Sequence, residues 1–441
     1  MKNLAFRNLT FSLLSFAALS SFAVASDARK PSLDSSLSIS GSAGASFIEL
    51  AELTASDGTR KNQLGFSVAI SGNTVVVGAP GANDGQNQGA GAVYVFVKPG
   101  NGWANMTQTA KLTCSNETTP IPCGSVVAVS GNTIVTNGYD PTISQTVGLV
   151  FVRPSGGWKN MTQTAELTVT DQGAIDAGFN AIAVSGNTVV AGSWLSSVFG
   201  TQEGEAYVFV EPSGGWGNMT QTAILSPSDG QKGYLFGSSV SFDGTAAVIG
   251  ALGANTNEGA AYIFVQPAGG WTNMTQTAEL TASNGVANAS FGASVEISGT
   301  TVAVGAPAET IGSNTVQGAT FVFVEPVGGW QDMTETAELT TSTGRTGNQF
   351  GYSVSASGNA IIIGAPNVKI GSDTAQGAAY IFEKPPSGWA TTSQPASKFS
   401  AGTQGSNFGT SVALGTTAVG GAPTGVTGGT KSTGATYIFG P

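Results

Sequence analysis

The chain has 441 residues, 63 of them Gly, with 10% charged residues and a net charge of −10 from 16 basic and 26 acidic side chains. It contains no His and only two Cys, which excludes Ser-His and Cys-His nucleophiles, His-ligated metals, and thiolate zinc or iron–sulfur sites. No basic stripe is available to neutralise phosphates, so nucleic acid is not an expected partner, and any catalysis would fall to carboxylates, Lys, Tyr or hydroxyls.

Residues 1–25 read as a cleaved signal peptide. Lys2 and Arg7 precede an apolar stretch from Leu9 to Phe22, and Ala23-Val24-Ala25 supplies the small-x-small cleavage pattern. Nothing later reaches the ~18 apolar residues of a membrane helix, so no membrane insertion is expected. The mature protein is expected to be secreted, periplasmic or at the cell surface. Residues 26–46 are Ser/Gly-rich without apolar period and read as a flexible linker.

From residue 47 to 441 the chain repeats. Trp103, Trp158, Trp216, Trp271, Trp330 and Trp389 recur at spacings of 55, 58, 55, 59 and 59. Around each Trp lies one grammar: a strand such as FGASVEIS, a short turn, a second strand such as TVVVGAP, a variable loop, a third strand such as AVYVFV, a Pro/Gly turn ending in Trp, and a fourth strand such as MTQTAELT. First strands begin near Leu64, Cys123, Gly178, Phe236, Phe291, Phe350 and Phe408, which makes seven. The seventh copy stops after its third strand, and its fourth appears at the other end as ELAELTAS (49–56). These features predict an all-β, seven-bladed β-propeller of four-stranded blades, with the N-terminal strand closing the last blade. MTQTAKLT alternates in polarity, which predicts a half-exposed edge strand.

FGASV…VGAP (291–307), FGYSV…IGAP (350–366) and FGTSV…GGAP (408–423) resemble FG-GAP repeats, as found in the propeller of integrin alpha chains and in secreted bacterial proteins. Leu64 and Cys123 replace the Phe, and Gly178-Phe179 reverses the pair. Asn137-Gly138-Tyr139 and Gly192-Ser193-Trp194 stand in place of GAP. Integrin-like relatives carry an acidic calcium loop between the two motif strands. Here that interval holds Ser-Gly-Asn-Thr turns and, in seven copies, a single Asp (Asp243), too few carboxylates for Ca²⁺. No metal or cofactor is therefore expected. The resemblance implies a noncatalytic adhesion-type scaffold.

In such a meander the 2–3 loops and 4–1 connections share one face, called the top here. They vary within the chain, whereas the turns of the opposite face repeat. Binding is expected on the variable face, at Tyr139 and Trp194, against the alternative that both rings fill the space vacated by Pro. Asn83-Asp84, Asn255-Asn257-Glu258 and Ser372-Asp373 read as solvated loop clusters. Asn105, Asn160, Asn218 and Asn273 begin N-M-T sequons, with Asn116 and Asn288 also fitting. Asp332 at the same place in the fifth copy suggests that the shared role is local turn geometry. Cys114 and Cys123 are expected to pair as a disulfide in an oxidising compartment.

Three functional readings follow: a monomeric binder of an unidentified protein or glycan, a carboxylate glycan-active enzyme using Glu203, Glu205 or Glu258, and a structural surface or matrix protein.

Overall fold

The computed structural model describes residues 47–84, 88–115, 122–170, 179–194, 203–427 and 431–441. The signal-peptide and linker readings, and the sequon at Asn116, lie outside them. Seven sheets begin on Ser67–Ser71, Val127–Ser130, Ala181–Ser185, Phe236–Phe242, Ser294–Ser298, Ser353–Ser357 and Ser411–Leu414, numbered blades 1 to 7 in chain order. Each of these strands packs against its counterparts in the flanking blades, closing a ring. Blade 1 continues antiparallel through Thr74–Ala79, Ala92–Val97 and Ala110–Leu112, and the other blades follow the same order. Blade 7 takes its fourth strand from Ile48–Thr54, in antiparallel register with Ala435–Gly440, so the predicted closure is present. No helix among the described residues is long and apolar enough to cross a membrane.

The motif residues are seam residues. The rings of Phe236, Phe291, Phe350 and Phe408 each lie edge-on or tilted against two aromatics of their own third strand, such as Tyr262 and Phe264 in blade 4. Phe179 does the same with Tyr207 and Phe209, so the reversed pair in blade 3 keeps its ring in place. The second-strand glycine is required by close approach: a Cβ on Gly305 would lie 2.1 Å from the carbonyl oxygen of Gly351 in the next blade. Beside it, the Ser294 hydroxyl donates to that same oxygen at 2.9 Å. The Trp residues after the Pro/Gly turns are buried, apart from half-buried Trp103, and pack at the lower ends of the blades, as where Trp271 meets Phe242 of its own blade edge-on.

One expected strand is divided. MTQTAKLT is not a single edge strand. Met106–Thr107 pairs parallel with Leu53–Thr54 of the preceding blade, and Ala110–Leu112 pairs antiparallel within its own. The same handover recurs at Met219–Thr220, Met274–Thr275 and Met333–Thr334. In the lower turns positive φ falls on Gly alone, at +54° to +59° for Gly72, Gly131, Gly186, Gly299 and Gly358, as in a hairpin with Gly at the first central residue. Asp243 accepts from Thr245 N–H, Thr245 Oγ1 and Ala246 N–H, so its carboxylate caps its own turn.

Candidate functional site

The top of blade 2 departs most from its neighbours. Proline has no N–H and stops the second strand after Ala79 in blade 1. Tyr139 stands at that point in blade 2 and the backbone goes on pairing, unlike blades 3 and 4, whose second strands stop at Ser193 and Ala251 although Trp194 and Leu252 follow instead of Pro. Thr133–Asp140 and Gln145–Val152 run eight residues each, ending at Asp140↔Gln145. The tip is held by Asp140 Oδ1, which accepts from Thr142 N–H at 2.8 Å and Thr142 Oγ1 at 2.7 Å. Ile143 stands on this tip at 45% exposure, one of few large apolar side chains in the open among the described residues. Tyr139 itself is half-buried.

Beneath the hairpin the Asp140 and Glu166 carboxyls are hydrogen-bonded to one another. Glu166 is pushed up to about 7, first by burial and then by the charge and hydrogen bond of Asp140. Asp140 is also burdened by burial, yet hydrogen bonds from Thr142, Glu166 and Ile143 hold it below the ordinary carboxylate range. The two groups share one proton near neutrality. Neither residue stood out in the sequence, because Glu166 occupies the same fourth-strand place as Lys111, Glu279 and Glu338.

In blade 3, Trp194 follows Thr188–Ser193 and is half-buried, with its indole Nε1 enclosed and unpartnered among the described residues. The loop 195–202 between Trp194 and Glu203 lies outside the described residues. Glu205 is buried opposite Ser193 and accepts the Tyr207 hydroxyl. Glu203 and Glu258 precede equivalent glycines of successive blades. Glu203 lies against Gly230 and Glu258 against Gly285, so each plugs a different seam. At the same place, Gln317 and Gln376 donate to Thr341 O and Gly402 O across their seams. The three glutamates expected as an enzyme pair are thus seam and strand residues. The loop clusters are likewise internally bonded: Asn83 Oδ1 accepts from Gly89 N–H, Asn255 Nδ2 donates to Glu279, and Ser372 to Asp373.

The N-M-T asparagines do not serve local turns. The Oδ1 atoms of Asn105, Asn160, Asn218 and Asn273 accept from the backbone N–H of Glu52, Lys111, Glu166 and Ile224 in the preceding blade, at 2.8 to 3.0 Å. Asp332 makes the same bond to Glu279 N–H. Three residues on, Gln108, Gln163, Gln221 and Gln276 accept a second backbone N–H of that blade. Asn and Gln together clamp the outer strand of one blade to the next, which explains why Asp substitutes freely for Asn. All four asparagines remain exposed. Cys114 and Cys123 form a disulfide between the end of blade 1 and the start of blade 2.

A model of the FG-GAP repeat matches residues 47–96, 219–264, 274–323 and 333–382. The unmatched copies are the irregular blades 2 and 3 and the divided blade 7. No curated protein matches the chain. Among solved structures, the Kuenenia stuttgartiensis hydrazine synthase is similar over 84% of this chain and 92% of its own, at 11% identity and a TM-score of 0.48. A Dos1 propeller is similar over 88% of this chain and 82% of its own, at 12% identity and a TM-score of 0.45.

Proposed function

We propose that this protein, a propeller of FG-GAP repeats, is a noncatalytic exported scaffold that takes a protein or glycan partner on the top of blades 2 and 3. The observation that carries the reading is the blade 2 hairpin. Its tip is fixed by Asp140, exposes Ile143, and stands over Tyr139, next to the blade that bears Trp194. A rigid apolar tip on a polar, weakly charged surface suits contact with a protein. The half-buried rings of Tyr139 in the hairpin and Trp194 on the next blade suit either a protein anchor or a sugar face. The disulfide fits an oxidising compartment, in keeping with export.

A carboxylate glycosidase is the weaker reading. Catalytic carboxyls must stand about 5 Å apart or more to flank a glycosidic bond. Asp140 and Glu166 are in direct hydrogen bond, which leaves no room for a sugar between them.

Pull-down and glycan-array screening of the mature protein tests the proposal, followed by Ile143→Asp and by Tyr139→Ala with Trp194→Ala. Binding lost in both variants with the melting temperature nearly unchanged supports it. Unaltered binding together with a large loss of stability in the ring variant would show that the rings are packing, and the assignment would fall.

A further inference from the structure

At the top of the seam between blades 7 and 1 lies a cleft of about 510 Å³. The connection into blade 1 contributes Arg60, Lys61 and Gln63, and the 2–3 loop of that blade contributes Asn83 and Gln88. No carboxylate lines it among the described residues. Asp57, the one acid of that connection, is engaged by the Lys111 ammonium at 2.7 Å and the Tyr94 hydroxyl at 2.9 Å. That ion pair is the only one among the described residues, so Arg60 and Lys61 stand without a counter-charge on a protein of net charge −10.

The neighbouring seam shows the same place filled by the chain itself. Between blades 6 and 7, Asn407 holds the place of Gln63. Its Nδ2 donates to Pro366 O at 3.3 Å and Asn367 Oδ1 at 3.4 Å, and its Oδ1 accepts from Thr424 Oγ1 at 2.9 Å. Gln404, at the place of Arg60, donates to Thr374 Oγ1 at 3.1 Å. At the seam of blades 7 and 1, Gly81 replaces the hydroxyl-bearing Thr424, while Thr424 is already bonded within its own blade. The bridge is therefore missing and the cleft is open.

Lys61 adds a second, independent sign. Its φ is +75°, at a place where blades 4, 6 and 7 carry Gly233, Gly347 and Gly405 with φ of +72° to +87° and blade 5 carries Asn288, of a residue type that tolerates this region, at +67°. A side chain there strains the backbone, and the strained residue is one of the two cations.

We infer that this cleft binds an acidic sugar of the uronate class. The carboxylate would lie between Arg60 and Lys61, and the ring hydroxyls on the amides of Gln63, Asn83 and Gln88. Two cations facing no acid call for an anion, and amides that both donate and accept suit hydroxyls. Dense polyanions are disfavoured by the net charge of the whole protein.

The test is calorimetric titration of the full chain at low salt with trigalacturonate, its methyl ester, and sodium sulfate. The decisive variant combines Arg60→Gln with Lys61→Gly, which copies Gln404-Gly405 of blade 7 and relieves the strained φ. Trigalacturonate should bind, the ester at least about tenfold more weakly, and the variant should lose binding with an unchanged or higher melting temperature. Four results would overturn the inference: no binding at about 10 mM, equal binding of the ester, undiminished binding by the variant, or binding of sulfate alone. The site lies apart from blades 2 and 3, so failure here leaves the proposed scaffold function standing.

Discussion

Blade 5 and blade 2 have the same strand order but meet their next neighbours by different means. In blade 5 the Ser294 hydroxyl donates to Gly351 O, and Gly305 lets that carbonyl approach. Blades 1, 4, 6 and 7 repeat the bond through Ser67, Ser239, Ser353 and Ser411. Blades 2 and 3 carry Val126 and Ala181 there and cannot make it. Blade 2 binds its Val126 carbonyl locally with Thr136 Oγ1, accepts Gly186 N–H of blade 3 on Ser130 Oγ, and is tied backwards by the disulfide. That arc bears Tyr139 and Trp194, and in blade 2 the second strand overruns the place of Pro, whereas in blade 3 it stops at Ser193 and keeps the close-approach glycine as Gly192, whose Cβ would lie 2.3 Å from Gly237 O. In blade 2 Asn137 stands in place of that glycine, and there the top has changed shape.

The sharpest way to break that comparison is a pair of glycine substitutions. Gly305→Ala forces a Cβ against backbone that has nowhere to move, and should cost about 3 kcal/mol or more in denaturant unfolding. Gly138→Ala in blade 2, at the place where blade 5 already carries Ala306, meets only the end of the Leu149 side chain, which can rotate away, and should cost about 1 kcal/mol or less. Equal losses would show that the end of the second strand in blade 2 is packed as tightly as the seam of blade 5. Next in size is Cys114→Ser with Cys123→Ser. The loop it opens is short, so the loss should be about 2–3 kcal/mol, with faster hydrogen exchange confined to blades 1 and 2. An unchanged melting temperature would remove the disulfide as blade 2's substitute.

Much of the regular arc was legible because its signals are local. Trp spacing, Gly-bounded apolar runs and the displaced ELAELTAS each lie in one stretch of chain, and together they specify seven blades and their closure. What stayed hidden acts between residues about 50 apart. MTQTAKLT alternates like one strand, and nothing within it marks that Met106–Thr107 serves the blade before. Asn218 reads as a turn residue because its partner, Glu166 N–H, belongs to another copy. The proton shared by Asp140 and Glu166 depends on a hairpin two residues longer than its counterparts, visible only once Tyr139 is seen to pair with Thr146.

A smaller effect sharpens the contrast from both sides. Ser294→Ala removes a buried bond and should cost about 1–2 kcal/mol. Ala181→Ser places a hydroxyl at the equivalent site in blade 3 and should recover at most about 1 kcal/mol by binding the next blade. If both substitutions are silent, the serine ring does not join the blades.

The smallest expected effect concerns pH. Glu166 has an ordinary unfolded pKa of about 4.3 and is raised to about 7 in the fold, by burial first and Asp140 second. The folded state thus binds a proton that the unfolded state has released. The stabilisation is complete below about pH 4.3 and is lost as pH climbs through 7. Glu309 in blade 5 is also raised to about 7, chiefly by burial, with the charge of Glu338 a lesser push against the restraining Thr310 N–H. Both arcs therefore lose stability from pH 5 to 8, but for different reasons. Glu166→Gln keeps a neutral side chain at every pH and should flatten its share of the slope, about 1–2 °C of melting temperature. Asp140→Asn removes only the lesser cause, the neighbouring charge, and should flatten part of the same share while leaving the Glu309 share intact. Glu309→Gln should flatten the other share with no response to Asp140→Asn. A slope that survives Glu166→Gln in full would mean that the blade 2 carboxyls do not share a proton, and the two arcs would then be alike in this respect.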